Sequence, residues 1–234
     1  MGLTFDITRW AAWAPGLSTP EAWEAWARSP STPRGAEVPP LTEVPAMQRR
    51  RVEKLGRLAV QVTQWAQGER RGLPLVFASR HGDAPRSAEL LSELAKGAPL
   101  SPASFALSVH NAVGGQYSII RGETANVVAV ANGLCTPEAG LLEALTLAEE
   151  AVLVVYDASP HPLHEADYPE APADYAWAWQ VKRGGPLSLT PGERDGTAAP
   201  GALPHALALL AFALSAQATY RVEDDATGYV WRRS

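Results

Sequence analysis

Cys135 is the side chain best suited to nucleophilic chemistry in this sequence, and it is the only cysteine among 234 residues. It directly precedes Thr136, Pro137 and Glu138, which together are typical of a helix start: a capping hydroxyl, an early proline and an acid in the first turn. A helix N-terminus lowers the pKa of a thiol and supplies backbone N–H groups to an oxyanion. Cys135 is therefore a candidate nucleophile, with a small buried core residue as the alternative.

Two histidines are candidates for the matching base. His81 lies beside Arg80 and Asp83, just after a predicted strand over Leu75–Ser79, and ligands of α/β folds gather at such strand ends. His110 lies in a predicted helix. For both residues the alternative is a hydrogen-bonded or packed structural role.

The sequence predicts no metal site and no cofactor. His161 and His164 are three residues apart near Glu165 and Asp167, but they lie in a proline-rich loop without a helix to fix the spacing. A lone cysteine excludes a multi-cysteine site. The motifs GxSxG, GxGxxG, HExxH and Walker A are also missing.

Composition narrows the class of protein. The chain is 46% hydrophobic and 19% charged, with a net charge of −5, which is typical of a globular protein and lacks the basic footprint of a nucleic-acid binder. The most apolar run, Ala206–Ala218, is too short to span a bilayer, and no signal-type segment is evident. With a single cysteine, a reducing cytoplasm is the expected location.

Strand-like and helix-like segments alternate, which predicts an α/β fold with a largely buried sheet. Gly114-Gly115 is interpreted as a helix break or close-packing spot, and Leu187–Pro204 as a loop rich in Gly and Pro. The predicted strands are Leu3–Trp13, Leu75–Ser79, Gln116–Ile120, Asn126–Ala131, Ala151–Asp157, Tyr175–Lys182 and Tyr229–Arg233. The predicted helices are Pro20–Arg28, Met47–Gln67, Pro85–Lys96, Pro102–Val113, Thr136–Glu150 and Pro204–Ala218.

Several stretches resemble the N-terminal half of β-ketoacyl synthases, the condensing enzymes of fatty-acid and polyketide assembly. They are most similar to a short family of β-ketoacyl synthase-like N-terminal domains, whose members are often described as chain length factors. The matching stretches are Ile7–Leu17, Met47–Leu58, Leu75–Asp83, Ser108–Leu147 and Tyr175–Lys182.

The resemblance implies a missing nucleophile. Ungapped counting from Ser118-Ile119 and from the Gly140–Leu145 helix places the family's nucleophile position at Leu134, one residue before Cys135. The HGTGT-like and NxxxGG-like histidine motifs of condensing enzymes are also absent. We therefore expect a non-catalytic homologue, a chain-length-factor-like or partner subunit of fatty-acid, polyketide or aryl-polyene-type synthesis. The alternatives are a diverged acyltransferase or thioesterase using Cys135 with a histidine base, and a binding protein of unknown ligand.

The resemblance also implies a thiolase-like fold, here as a single condensing-enzyme half with a mixed sheet covered by helices. We expect one domain over residues 1–234, with a core of about 5–185 and a C-terminal helix and tail over 186–234. That helix, or a second protein, would cover the helix headed by Thr136.

The expected partners are a full-length β-ketoacyl synthase or a second copy of the chain, together with an acyl carrier protein. The expected dimer interface comprises His110, Asn111, Gln116, Tyr117, Val128 and Val130. The residues expected to meet the acidic carrier protein are Arg49, Arg50, Arg51 and Lys54, for which a solvated helix face is the alternative.

Overall fold

The computed structural model describes residues 2–161, 170–193, 203–224 and 226–234. The strands are β1 (Leu3–Trp13), β2 (Leu75–Ala78), β3 (Val127–Val130), β4 (Glu150–Asp157), β5 (Tyr175–Arg183), β6 (Leu187–Pro191), β7 (Thr219–Glu223) and β8 (Gly228–Arg233). The helices are α1 (Pro20–Ala27), α2 (Ala46–Arg49), α3 (Lys54–Gln67), α4 (Ala84–Ala95), α5 (Pro102–Leu107), α6 (Ala112–Arg121), α7 (Thr136–Leu147) and α8 (His205–Leu214). None of the helices described is long and apolar enough to cross a membrane.

All eight of these strands form one mixed sheet in the order β3-β2-β4-β5-β1-β6-β8-β7. β2 is parallel to both β3 and β4, and the remaining pairs are antiparallel. β2 and β4 lie inside the sheet, and their side chains are almost wholly buried. This burial explains why both strands are continuous apolar runs rather than alternating ones. β3 and β7 are the two edges.

Helices cover both faces of the sheet. On one face α7 packs on β2 and β4, and α8 packs on α1. The core of this face is rich in indoles: Trp177 and Trp179 stack with ring centroids 4.2 Å apart, and Trp231 meets Trp179 edge to face. On the other face α3 packs on β1, β4 and β5, with α6 beside it. The predicted mixed sheet covered by helices is confirmed, with α8 folded back onto the sheet.

Gly114 and Gly140 allow two helices to lie unusually close to the sheet. A Cβ on Gly140 would stand 2.7 Å from Leu153 Cδ1, and one on Gly114 would stand 2.6 Å from Val127 Cγ1. Either distance is shorter than a van der Waals contact, so a larger residue would push the helix away. Gly114 therefore serves close packing within α6 rather than breaking a helix.

The strand predicted at Gln116–Ile120 is wrong, because this segment is the second half of α6. Val113 and Tyr117, four residues apart, form its buried face, and this helical spacing outweighs the β-like composition. Gly122, with φ of 62°, ends the helix in the left-handed region.

Several other boundaries differ from the predictions. α7 ends at Leu147 rather than Glu150, which already belongs to β4, and α8 ends at Leu214 rather than Ala218. The helix predicted over Met47–Gln67 is interrupted between α2 and α3, where the Arg57 guanidinium donates to the carbonyls of Val52 and Arg49. The helix predicted over Pro102–Val113 is likewise divided between α5 and α6. The predicted loop Leu187–Pro204 begins with β6, and its residues 194–202 lie outside the described chain.

Candidate functional site

The site is built around the turn that joins β3 to α7. Residues Gly133–Cys135 form one turn of 3-10 helix immediately before α7. The Thr136 hydroxyl donates to the Gly133 carbonyl at 2.8 Å and accepts from the Asn132 N–H at 2.9 Å. Gly133 has φ of 54°, which the turn requires and which other residues adopt only with strain. The turn therefore presents Leu134 and Cys135 in fixed directions.

Cys135 is fully buried, with no exposed surface. Burial, together with the nearby Glu138 carboxylate, raises the pKa of the thiol to about 12. The side chains of Thr227 and Asp224 are in hydrogen-bonding contact with the sulfur. Because the reactive species is the thiolate, these surroundings suit a packed core residue rather than a nucleophile.

Leu134 faces a cavity of only about 10 Å³, whose lining includes Arg80, Glu170 and His205. The Arg80 guanidinium forms an ion pair with Glu170 at 2.8 Å across this region. Such a volume is at the lower limit for one water molecule and leaves no room for an acyl chain. The position that the resemblance aligns with a nucleophile therefore carries a partly exposed aliphatic side chain beside a very small cavity.

The buried Asp157 carboxylate organises the neighbouring end of the sheet. It accepts from the Ser79 hydroxyl at 2.8 Å and from the backbone N–H groups of His81 and Arg80 at 3.1 and 3.2 Å. The Tyr175 hydroxyl donates to it at 3.3 Å. Burial outweighs these hydrogen bonds and raises the pKa of Asp157 to about 6. This carboxylate thus fixes the loop between β2 and α4.

Of the two candidate bases, His81 lies in this loop, whereas His110 lies between α5 and α6, outside the predicted helix, and contacts the loop from there. Burial and the adjacent Arg80 charge lower the pKa of His81 to about 4. His110 donates from Nε2 to the Ser79 carbonyl at 2.8 Å, and its ring lies against Gly82. His110 therefore holds the loop in place. Within the described chain no three or more His, Cys, Asp or Glu side chains are grouped to hold a metal, and His164 lies outside that part.

A buried network that the sequence did not predict lies beneath the turn. The fully buried Glu138 carboxylate accepts from His205 Nε2 at 3.0 and 3.1 Å and from Trp231 Nε1 at 2.8 Å. His205 Nδ1 is also 2.8 Å from the Tyr220 hydroxyl. One signal in the sequence points to this network: Glu138 is an acid in the first turn of an otherwise apolar helix. An acid at a buried position needs a hydrogen-bonding or charged partner. The network joins α7 to α8, β7 and β8.

The residues expected at an interface fall into two groups. Val128 and Val130 belong to β3, at the edge of the sheet, and are partly exposed. Asn111 is exposed, and Gln116 is partly exposed and donates to the Arg51 carbonyl at 3.2 Å. Tyr117, by contrast, is fully buried, so its side chain is not on the surface.

An apolar surface patch lies on the helices next to β3, and we call it the α4–α6 patch. Several of its side chains are well exposed, including Phe105 at 62% and Ile119 at 74%. α4 contributes only three buried residues to the core, and α5 contributes none. The patch comprises Leu91, Leu94, Leu100, Phe105, Val109 and Ile119.

The four basic residues expected to meet a carrier protein differ in availability. Lys54 pairs with Asp174 at 2.5 Å, and Arg49 donates weakly to the Leu41 carbonyl at 3.5 Å. The Arg50 and Arg51 side chains are exposed and have no side-chain partner within the described chain. Of the four, Lys54 is the one whose charge is paired with an acid in the described chain, and Arg50 and Arg51 are the two most available to a partner.

Comparison with known proteins places the chain in a family. Residues 23–232 match the family model described as the N-terminal domain of β-ketoacyl synthase. No curated protein sequence matches the chain. A solved structure from Xenorhabdus doucetiae, the ketosynthase ApeO in complex with its chain length factor ApeC, includes a similar chain. The two chains are 29% identical and superpose with a TM-score of 0.89, covering 99% of this chain and 100% of that one.

Two more distant structures share the fold. The ishigamide ketosynthase/chain length factor is 14% identical, with a TM-score of 0.63 over 83% of this chain and 68% of that one. A type II polyketide synthase ketosynthase in complex with its acyl carrier protein, AntDE:AntF, is 11% identical. Its TM-score is 0.55 over 78% of this chain and 63% of that one. The fold is ketosynthase-like, and the chain belongs to the β-ketoacyl synthase N-terminal domain family.

Proposed function

We propose that this protein is a non-catalytic partner subunit of a ketosynthase, acting in the manner of a chain length factor. The observation that carries the proposal is Leu134, beside a cavity of only about 10 Å³, at the position where the aligned nucleophile would form a thioester with the acyl chain. A leucine has no nucleophilic atom, and the neighbouring thiol is buried and protonated at neutral pH.

The alternative, an acyltransferase or thioesterase that uses Cys135, finds no support in the geometry. Such an enzyme needs an exposed thiolate within hydrogen-bond reach of a base. Cys135 is enclosed by Thr227 and Asp224, while His110 donates to a carbonyl and His81 is disfavoured as a cation. None of these groups is arranged as a nucleophile–base pair.

The surface that would meet a ketosynthase combines the β3 edge with the α4–α6 patch. An edge strand offers unpaired backbone groups to a partner strand, and antiparallel pairing of two such edges suits a two-fold or pseudo-two-fold dimer. The patch supplies exposed apolar area beside that edge, as interaction sites do. The complex from Xenorhabdus doucetiae, a ketosynthase with its chain length factor, supports the choice of a ketosynthase as partner.

A second contact, with an acyl carrier protein, would use Arg50 and Arg51. Both arginines are exposed and unpaired within the described chain, and they adjoin α2. Free guanidinium groups favour an acidic partner by steering its approach. A ketosynthase of similar fold has been solved in complex with its acyl carrier protein, which supports a carrier protein as the class of partner.

Co-expression with a full-length condensing enzyme from the same organism tests the proposal. We expect one stable heterodimer by size-exclusion chromatography with light scattering, and no covalent acyl adduct on this chain by mass spectrometry after incubation with acyl carrier protein. Ile119→Asp should weaken the heterodimer, whereas Val38→Asp, at an exposed position outside the patch, should not. A stable monomer that ignores the condensing enzyme, or an acyl adduct at Cys135, would refute the proposal.

A further inference from the structure

The second half of β1 has a neighbouring strand on one side only, although β1 lies in the interior of the sheet. β5 pairs with β1 from Phe5 to Trp13, but on the other side β6 pairs only with Leu3–Phe5. Beyond Phe5, no strand of the described chain lies against that side of β1. An interior strand is therefore left half unpaired.

The backbone groups that face this gap belong to Trp10 and Ala12. Ala14 exchanges backbone hydrogen bonds with Leu17, at 2.9 and 2.8 Å, on the side away from β5. Backbone direction alternates along a strand, so Ala12 and Trp10 point the same way as Ala14. Neither residue has another backbone or side-chain partner for these groups within the described chain. Both residues line the cavity described below, so these backbone groups are within reach of an incoming chain.

A cavity of about 620 Å³ lies along this edge. Its volume is within the range of sites that bind small ligands and short peptides. Across from β1 its walls come from the start of α1, from the loop before α2, and from the last turns of α3 and α6. The lining on that side includes Pro20, Glu43, Trp65, Gly68 and Arg121.

Arg9 gives the cavity a free positive charge. Its guanidinium lies over the α-carbon of Gly68, where a side chain would collide with it. It forms no hydrogen bond or ion pair with any other residue that the structure describes. Arg121 also lines the cavity, but it donates to the Gly68 carbonyl. Two carboxylates also line the cavity: Glu43 accepts from Gln61 Nε2 at 3.3 Å, and Glu69, which follows Gly68, is exposed.

We propose that this cavity binds an extended, carboxylate-bearing peptide segment of a partner protein, which adds to β1 as a short strand. The N–H and C=O groups of Trp10 and Ala12 recur every second residue, which matches the repeat of an incoming strand. A purely apolar ligand would leave these four groups unpaired. The carboxylate would pair with Arg9, whose guanidinium suits bidentate binding. β2, β4 and β5 separate this edge from β3, so the site is independent of the proposed ketosynthase interface.

Selection from a randomised hexapeptide library by the immobilised full chain tests this inference. One library has a free C-terminal carboxylate and no acidic side chains, and a second is C-terminally amidated but contains Asp and Glu. We expect at least one library to be retained above the bead background, and to lose about fivefold or more of its recovery with Arg9→Gln. The matched control Arg28→Gln, at another exposed arginine without a side-chain partner in the described chain, should retain peptides like the wild type. The two libraries distinguish a terminal carboxylate from a side-chain carboxylate.

Amide hydrogen exchange supplies the backbone readout. A recovered peptide should slow exchange at Trp10 and Ala12 and leave Ala11, which faces β5, unchanged. Recovery no greater than from blank beads, recovery unaffected by Arg9→Gln, or unchanged exchange at Trp10 and Ala12 would each overturn the proposal.

Discussion

Replacing Glu138 should strongly destabilise the protein, because its carboxylate is the acceptor for two buried donors. It has no exposed surface and receives hydrogen bonds from His205 Nε2 and Trp231 Nε1 at 3.0 and 2.8 Å. His205 is the first residue of α8, and Trp231 lies in β8. The substitution therefore removes the hydrogen bonds that link α8 and β8 to the first turn of α7, next to Leu134.

The size of the effect follows from the number of donors left unpaired. Each buried group that loses its partner costs about 1–3 kcal/mol. Glu138→Ala strands two such groups and opens a cavity, so we expect a loss of about 3–5 kcal/mol. The free energy of unfolding of a domain is about 5–15 kcal/mol, so about a fifth of it or more would be lost. Glu138→Gln keeps the shape and one acceptor oxygen, and should cost about 1–3 kcal/mol.

Urea unfolding followed by far-UV circular dichroism measures this prediction. The matched control is Glu143→Gln on the same helix, because Glu143 is only partly buried and has no side-chain partner in the described chain. A double-mutant cycle with His205→Ala should give a coupling of about 1 kcal/mol or more. A Glu138→Ala variant within about 1 kcal/mol of the wild type, or additive effects in the cycle, would refute the reasoning.

Three further predictions concern other groups. The pKa of Asp157 is raised from 3.8 to about 6, so the folded protein retains a proton that the unfolded chain releases between these values. The stability contributed by this group should therefore fall as pH rises through that window and level off above it. Urea unfolding between pH 4 and 7 should show this decline, and Asp157→Asn should lack it; a pH-independent difference between the two proteins would contradict this assignment. Cys135 should resist iodoacetamide in the native protein at pH 8 and react once urea unfolds the chain, whereas rapid native labelling would show an accessible thiolate. Reversing both charges with Arg50→Glu and Arg51→Glu should weaken carrier-protein binding by about 1–2 kcal/mol, or roughly 5- to 30-fold in Kd by fluorescence anisotropy, while Arg28→Glu should not.

The predictable parts of the fold are the elements whose own residues are enough to indicate a helix or a strand. β4 is an uninterrupted apolar run, and α7 begins with Thr, Pro and Glu, so each carries its signal locally. β6 and β7 are short strands with one polar face, and they form by pairing with distant strands: β6 with β1 and β8, and β7 with β8. Such strands depend on tertiary context, which a single sequence does not display.

The site was predictable to a similar extent. The resemblance placed the nucleophile position at Leu134, and the structure shows what surrounds it. The burial of Cys135, by contrast, depends on Asp224 and Thr227, which follow it by roughly 90 residues. No local pattern indicates that contact. The hydrogen bond between Trp231 and Glu138 spans a similar separation in sequence and is equally absent from any local pattern.

The central place of β1 has a consequence for synthesis on the ribosome. β1 is translated early, but its partner β5 lies roughly 160–180 residues further along the chain. At a translation rate of about 5–20 residues per second, β5 is synthesised roughly 10–30 s after β1. During that interval the indoles and alanines of β1 are open to chaperones and to other nascent chains. Trigger-factor-type chaperones should therefore crosslink most strongly to β1 until β5 has left the exit tunnel, and to β4 much more briefly.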